Sequence, residues 1–136
     1  MESAEVMNKE VIEIPIISEA NRKLGSPVSM LVRAGDMLYS CGMPPIDVAT
    51  GDLVIGDIRT QTRAVLKALK ICLETAGSSL DKVVKTMVFV TDPAFTDAVN
   101  EVYREFFTSN YPARGFAAIT PWPYRFDIEI ECIAVA

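Results

Sequence analysis

The residues best suited to acid–base chemistry lie near the end of the chain, where the segment 126–131 alternates apolar and acidic side chains. Strand geometry places Glu129 and Glu131 on one face, roughly 7 Å apart. If this strand face were exposed to solvent, both glutamates would have a purely structural role. Apolar residues, however, follow them on the same face. This face is therefore predicted to be partly buried, and a buried carboxylate without a partner has a raised pKa and becomes a useful proton acceptor.

Two other polar residues are candidates for holding a ligand. Arg114 follows Pro112, which fixes the backbone, and precedes Gly115, which leaves room beside it. Arginine grips a planar carboxylate with two parallel hydrogen bonds, so a substrate clamp and an ordinary salt bridge to a glutamate both remain open. Asn100 lies inside a predicted helix, where it either bonds a neighbouring backbone group or points into a site.

The chain contains no histidine, which excludes a Ser-His-Asp triad, a Cys-His pair and a His-ligated zinc. Acid–base work must then fall to carboxylates, lysine, tyrosine, cysteine or bound water. Cys41, Cys72 and Cys132 are odd in number, far apart and free of any C-x-x-C spacing, so buried thiols are expected. Neither a metal site nor a cofactor is predicted.

Composition narrows the class of protein further. The 136 residues fit a single domain, 1–136, and the net charge of −5 disfavours nucleic acid and anionic lipid as partners. No apolar run reaches the ~20 residues of a membrane span, and the acidic start lacks the layout of a signal peptide. With no disulfide framework, a reducing cytoplasm is the predicted location.

The hydrophobic pattern predicts two helices and six strands. Asp57 to Ala76 is the clearest helix, with Asp57 at its N-cap and Gly77 after its end, and a second helix opens at Asp92-Pro93. A polar loop is expected over 20–27, and a turn over 49–52 precedes the apolar stretch 53–55. The strands are predicted at 11–14, 30–32, 37–40, 83–90, 115–120 and 126–135.

This order of elements indicates an α+β fold, with one sheet and both helices on one of its faces. Yet 83–90 is apolar on both faces, and Ile133 and Val135 face the same way as the two glutamates. The face without helices would expose a large apolar patch unless another subunit covered it. We therefore expect an obligate homo-oligomer.

The motifs from Ser29 to the C-terminus resemble, in order, those of the RidA family, also called YjgF. The hairpin of that family resembles residues 33–42, and its first helix with the following strand resembles Gln61-Thr62 together with 76–85. Its second helix resembles 99–103 together with Phe106-Phe107, and its C-terminal part resembles 112–114 and 128–134. Each piece is short, and the specificity lies in the ordered set.

The resemblance implies a chorismate-mutase-like α+β fold with a mixed six-stranded sheet, assembled as a homotrimer around a central barrel with three clefts between subunits. It implies an enamine/imine deaminase that hydrolyses 2-aminoacrylate-type intermediates to 2-keto acids and ammonia, so the partner is a small imine or keto acid. By position, Arg114 would hold the substrate carboxylate and Glu129 would activate the attacking water. Asn100, Cys41 and Gly42 would line the cleft.

Three positions depart from the family pattern. The usual cleft tyrosine falls near Val28, the usual serine before Gly42 is Cys41, and Phe116 stands where a small thiol is expected. A bulkier or more apolar substrate would fit these changes. Two other functions remain open. One is a non-catalytic trimer that binds a small carboxylate. The other is an endoribonuclease, which is an older label of the family; the net negative charge and the lack of histidine disfavour this activity.

Overall fold

The computed structural model describes residues 8–136. Residues 1–7, which carry the acidic start that argued against a signal peptide, lie outside the described residues. No helix within 8–136 combines the length and the apolar character that a membrane crossing requires. The elements, numbered along the chain, are β1 Lys9–Ile12, α1 Ile17–Leu24, β2 Leu31–Ala34, β3 Met37–Ser40, α2 Ile58–Thr75, β4 Val83–Val90, α3 Thr96–Phe106, β5 Ala113–Ala118 and β6 Ile128–Val135.

The six strands form one mixed sheet in the order β1-β2-β3-β6-β4-β5. Four neighbouring pairs are antiparallel, and β4 pairs with β5 in parallel. The parallel pair needs a crossover, which α3 supplies, whereas β2 and β3 are joined by a tight turn. Gly35 in that turn has φ 58°, a left-handed conformation that glycine adopts without strain. The predicted α+β fold with a mixed six-stranded sheet is confirmed.

The core lies between the sheet and the helices. On β6 the residues at even positions are buried and those at odd positions are half-buried or exposed, which is the period of two expected when one sheet face is covered. α2 begins as predicted, because the side chain of Asp57 accepts a hydrogen bond from the backbone N–H of Thr60. α2 packs on α3 and on β6, and its apolar stripe (Val65, Leu66, Leu69, Cys72, Leu73) is fully or almost fully buried.

The prediction of a polar loop over 20–27 is wrong for residues 20–24, which belong to a third helix, α1. Ile17, Ala20 and Leu24 recur at helical spacing, and the helix ends at Gly25, whose φ of 74° is the left-handed cap that stops a helix. Polar residues between these positions concealed the pattern. Two helices therefore become three, in addition to two short 3₁₀ turns at Leu80–Lys82 and Pro93–Phe95.

Smaller differences concern the ends of elements. β5 runs from Ala113 to Ala118 rather than from 115 to 120, and β6 begins at Ile128 rather than at 126. The stretch 53–55 forms only an isolated bridge between Leu53 and Ile46. On β4 the helix-side residues are buried, but Met87 and Phe89 on the other face are only half-buried within one chain. The homo-oligomer expected to cover that face remains a prediction.

Candidate active site

Four of the site residues predicted from sequence line one cavity of about 600 Å³. They are Val28, Cys41, Gly42 and Glu129, and the other lining residues include α1, the turn at 50–53, and the side chains of Tyr124 and Phe126. We call this space the Glu129 cavity. It is enclosed by segments of a single chain, so these four residues are brought together without a second subunit.

A bulge between β3 and β6 lies in the wall of the cavity, since Cys41 and Gly42 within it are lining residues. Tyr39 pairs with Ile133 and Met43 pairs with Ile130, which leaves three residues on one strand opposite two on the other. Such an extra residue interrupts the ladder and is common beside active sites. Ser40 fills the gap in the ladder, because its hydroxyl accepts from the Cys132 N–H at 2.9 Å and donates to the Cys41 carbonyl at 2.8 Å.

Gly42 leaves room for the carboxylate of Glu129. A Cβ atom added at position 42 would lie 2.5 Å from the Glu129 Oε1 atom, closer than real Cβ contacts. The side chain of Glu129 therefore lies directly over the backbone of Gly42. Only glycine at this position permits that arrangement without a shift of the carboxylate, so Gly42 positions the Glu129 side chain as well as lining the cavity.

Burial, together with the neighbouring charge of Glu131, raises the pKa of Glu129 to about 7. No arginine or lysine of residues 8–136 forms an ion pair with Glu129 to counter this effect. A carboxyl with such a pKa exchanges protons readily near neutral pH. It also lines a cavity large enough for a small molecule, so its position and its pKa are suited to general acid–base chemistry.

A hydrogen-bond network fixes the start of β6, two residues before Glu129. Asp127 accepts a hydrogen bond from the Thr91 hydroxyl at 2.8 Å and donates its backbone N–H to Gln61 Oε1 at 2.8 Å. The amide of Gln61, which is almost fully buried, also donates to the carbonyl of Gly56 at 2.8 Å. These bonds tie β6 to α2 and to the end of β4, so the backbone that carries Glu129 is held on both sides.

Cys41 lies beside Glu129 as a thiol. Burial, with a further contribution from the charge of Glu129, raises the pKa of Cys41 to about 12. A thiol with this pKa forms almost no thiolate at neutral pH, so Cys41 contributes surface rather than a nucleophile. The three cysteines are free, and Cys72 and Cys132 are buried as expected.

Arg114 and Phe116 lie elsewhere. The guanidinium carbon of Arg114 lies 4.8 Å from the ring centroid of Tyr103 and 5.2 Å from that of Phe116, a cation–π arrangement on both sides. The Tyr103 hydroxyl is hydrogen-bonded to Thr86 at 2.8 Å. We call Tyr103, Arg114 and Phe116 the Arg114 cluster. Arg114 is exposed, and no ion pair within the described part of the chain involves it.

The register of the sheet puts Arg114 and Glu129 on opposite faces. Arg114 lies beside Thr86, which faces the helices, whereas Glu129 lies beside Phe89 on the other face. Two strand spacings across the sheet and three residues along it put their Cα atoms about 14 Å apart. Within one chain, therefore, the two residues do not face a common site.

Asn100 belongs to the side of the sheet that carries the Arg114 cluster. It is half-buried on α3, one helical turn before Tyr103, and it is not among the residues that line the Glu129 cavity. The predicted site is thus split between two groups, with Val28, Cys41, Gly42 and Glu129 in one and Asn100, Arg114 and Phe116 in the other.

Sequence reasoning missed several lining residues of the cavity, including Leu24, Tyr124 and Phe126. Leu24 could have been found from the helical spacing of α1. Nothing in the sequence places the segment 121–126 over this cavity, because that contact depends on how the segment folds back before β6. Within residues 8–136 no group of three histidine, cysteine or acidic side chains is placed to hold a metal ion.

Known proteins resemble this chain over most of its length. A family model described as Endoribonuclease L-PSP matches residues 22–136. A RutC family protein of Pyrococcus horikoshii is 41% identical over 122 residues, covering 90% of this chain and 96% of the relative. A protein of Dermatophagoides farinae named 2-iminobutanoate/2-iminopropanoate deaminase is 32% identical over 127 residues, covering 93% and 96%.

A solved structure extends the likeness to three dimensions. YyfA of Yersinia pestis, described as a protein of unknown function of the conserved Rid family, superposes with a TM-score of 0.86 at 37% identity. The match covers 95% of this chain and all of the other chain. The architecture is therefore the RidA-type α+β fold. The chain belongs to the RidA (YjgF) family, as the sequence motifs predicted.

Proposed function

We propose that the protein is a hydrolase that deaminates 2-imino acids, including those that form from 2-aminoacrylate-type enamines, to 2-keto acids and ammonia. The observation that carries the proposal is the Glu129 carboxyl, which lines a cavity, lacks a basic partner within residues 8–136 and has a pKa raised to about 7. The relative from Dermatophagoides farinae whose name states this activity supports the same reaction class.

The reaction needs one group that moves protons and one that holds a carboxylate. Ionised Glu129 accepts a proton from water while the water oxygen bonds to the imine carbon, which gives a carbinolamine. Glu129 then returns that proton to the amine nitrogen. For the protonated imine this makes the nitrogen an ammonium group. The C–N bond then breaks while the hydroxyl proton passes to the Glu129 carboxylate, so the oxygen becomes the keto group and ammonia leaves, taking up that proton as ammonium. An iminium carbon is already electrophilic, so positioning and proton transfer suffice without a metal or cofactor.

Arg114 is the proposed clamp for the substrate carboxylate. Because it lies about 14 Å from Glu129 and on the opposite face of the sheet, it can serve the same substrate only from a second copy of the chain. We therefore propose a homotrimer in which Arg114 of one subunit approaches the Glu129 cavity of the next. The half-buried apolar residues Met87, Phe89 and Ile133, on the sheet face opposite α2 and α3, support such an assembly.

The experiment generates imines with an amino-acid oxidase and measures how fast semicarbazide traps them with and without the protein. An active deaminase lowers the amount of trapped imine and raises that of keto acid. Glu129→Gln should lose at least about a hundredfold of kcat/KM, the usual contribution of a general base. Glu131→Gln makes the same change two residues along the same strand, outside the cavity lining. It is the matched control when the rates are compared on the plateau above pH 7, where Glu129 is ionised in both proteins.

The competing function is a non-catalytic binding protein for small carboxylates. The separation of Arg114 from Glu129 within the chain favours it, because a binder needs the clamp without the base. Two results together would establish the binding protein and reject the hydrolase. The Glu129→Gln variant would still bind keto acid, and semicarbazide would trap imine at the same rate with the wild-type protein as without it.

A further inference from the structure

The mouth of the Glu129 cavity is ringed by exposed apolar side chains. Ile16, Leu24, Val28 and Tyr124 all line the cavity, and each is between 43% and 50% exposed. Large apolar side chains gathered around one opening leave a patch that is stabilised when a ligand or partner covers it. A rim of this kind is suited to an apolar ligand group.

The apolar character continues to the floor of the cavity. The inner lining residues Ile17, Met30, Met43, Ile46 and Phe126 are buried. The charged lining residues other than Glu129 are all exposed, which places them at the mouth; they are Glu19, Lys23 and Asp52. A ligand whose reacting carbon lies beside Glu129 therefore meets mostly apolar walls, to which Asn21, Ser26 and Thr50 add uncharged polar side chains.

Helix α1 is held in place, so the cavity is formed before a ligand arrives. The Asn21 side-chain amide donates to the carbonyl of Val28 at 2.9 Å, which ties the helix to the segment that follows it. The helix also packs closely on the turn at Gly51, where an added Cβ would lie 3.1 Å from the Ala20 Cβ. A preformed apolar wall gains affinity because little conformational freedom is lost on binding.

Aromatic rings form the opposite side of the cavity. The rings of Tyr124 and Phe126 are nearly parallel, with an interplanar angle of 7° and centroids 5.9 Å apart. Trp122 packs against Phe126, with ring centroids 5.0 Å apart, and supports it from outside the lining. These rings and α1 form part of the lining of a half-open space of about 600 Å³, of which an imino acid with only a methyl side chain would fill a small part.

We propose that the cavity selects 2-imino acids with a long aliphatic or aromatic side chain, and that Leu24 and Val28 determine this specificity. The reaction in this inference rests on the proposed deaminase function. The class of ligand is inferred from the lining of the cavity alone. The substrate side chain lies between α1 and the ring of Tyr124, with the imine carbon at Glu129. Transfer of such a side chain from water to apolar walls favours it over a methyl group by about tenfold or more.

The test compares imines made in situ from leucine, phenylalanine and alanine. The wild-type protein should show kcat/KM at least about tenfold higher for the two large imines than for the alanine imine. Leu24→Asn and Val28→Asn, both at exposed positions that tolerate polar groups, should bring this ratio close to one. Ile55→Asn is the matched control, because Ile55 is 60% exposed but does not line the cavity, and it should leave the ratio unchanged.

Binding of the leucine-derived keto acid and of pyruvate, measured by calorimetry, separates this inference from the reaction. The ligand class is supported if the wild-type protein binds the larger keto acid more tightly than pyruvate and Val28→Asn abolishes this preference. If that result is obtained but no imine is hydrolysed, only the proposed deaminase activity is wrong. A wild-type protein that prefers the alanine imine and pyruvate overturns the inference and leaves the deaminase standing. If the Asn variants instead dissociate the oligomer without altering either ratio, the rim is a subunit interface and the inference is wrong.

Discussion

The Glu129 cavity and the Arg114 cluster are built in different ways. The cavity is enclosed by one chain, and its carboxyl lies over the backbone of Gly42 beside a bulge in the sheet. The cluster lies on an edge strand on the other face, where stacking on two aromatic rings holds an exposed guanidinium. A single chain thus completes the proton-transfer half of the proposed site and leaves the anion-binding half facing outward.

The two regions therefore differ in how they depend on subunit assembly. Glu129 lies over Gly42 of its own chain, on a strand whose start is held by hydrogen bonds within that chain. In the proposed homotrimer, Arg114 reaches a substrate only when a second copy docks correctly, so its proposed contribution depends on the subunit interface. Substitutions in the two regions should accordingly have different signatures.

The largest effect that separates the two regions is expected for Arg114→Ala. Loss of a charge-assisted clamp should lower kcat/KM by about tenfold to a hundredfold, mostly through a higher KM for imine and a weaker affinity for keto acid. Arg104→Ala, which removes an exposed arginine from α3, is the control and should change neither. Steady-state kinetics and keto-acid titration supply the measurement. An unchanged KM in Arg114→Ala would show that the cluster does not touch substrate.

Gly42→Ala should affect the cavity and spare the cluster. The new Cβ would displace the Glu129 carboxylate, the flexible end of a side chain, so we expect about a tenfold loss of kcat with little change in melting temperature. Keto-acid affinity that depends on Arg114 should persist. A crystal structure or a pH profile of the variant would show whether Glu129 has moved. Full activity in Gly42→Ala would mean that the position of Glu129 does not matter.

The smallest effect is a shift of the pH profile. Glu129 must be ionised to accept a proton, so kcat/KM should rise with pH around a midpoint near 7 and reach a plateau above it. Because the charge of Glu131 helps to raise this pKa, Glu131→Gln should move the midpoint to lower pH. Burial is the larger cause, so the midpoint should stay above the ordinary value for a glutamate. A midpoint that moves to higher pH in this variant contradicts the assignment.

Much of the fold follows from local patterns in the sequence. The helix at Asp57 has a clear polar cap and a long apolar stripe, and the alternation along β6 correctly separates Glu129 from the buried face. Helix α1 was missed because its eight residues are mostly polar and its N-terminal neighbour, Ile16, is not a capping residue; its φ is 70°. Short helices of this kind are stabilised by tertiary packing rather than by their own sequence.

The two halves of the site could be named from the sequence but not placed. Whether Arg114 faces the helices depends on the parallel register of β5 with β4, a long-range pairing that no local pattern specifies. The apolar walls of the cavity likewise require α1 and the 121–126 segment to meet across the chain. The face of Glu129 can be predicted from the sequence, since apolar and acidic residues alternate over the six residues 126–131.

Mixing two defective proteins tests most directly the claim that the site is shared between copies. Arg114→Ala and Glu129→Gln chains, each expected to keep about a tenth or less of wild-type kcat/KM, are unfolded together in equal amounts and refolded. The mixture is assayed for imine hydrolysis at low substrate concentration, with each variant refolded alone as the control. Random trimers join an intact Arg114 to an intact Glu129 at about a quarter of their interfaces, so about a quarter of wild-type activity should return. If the mixture forms mixed oligomers but remains as inactive as either parent, the two residues do not act together across a subunit interface.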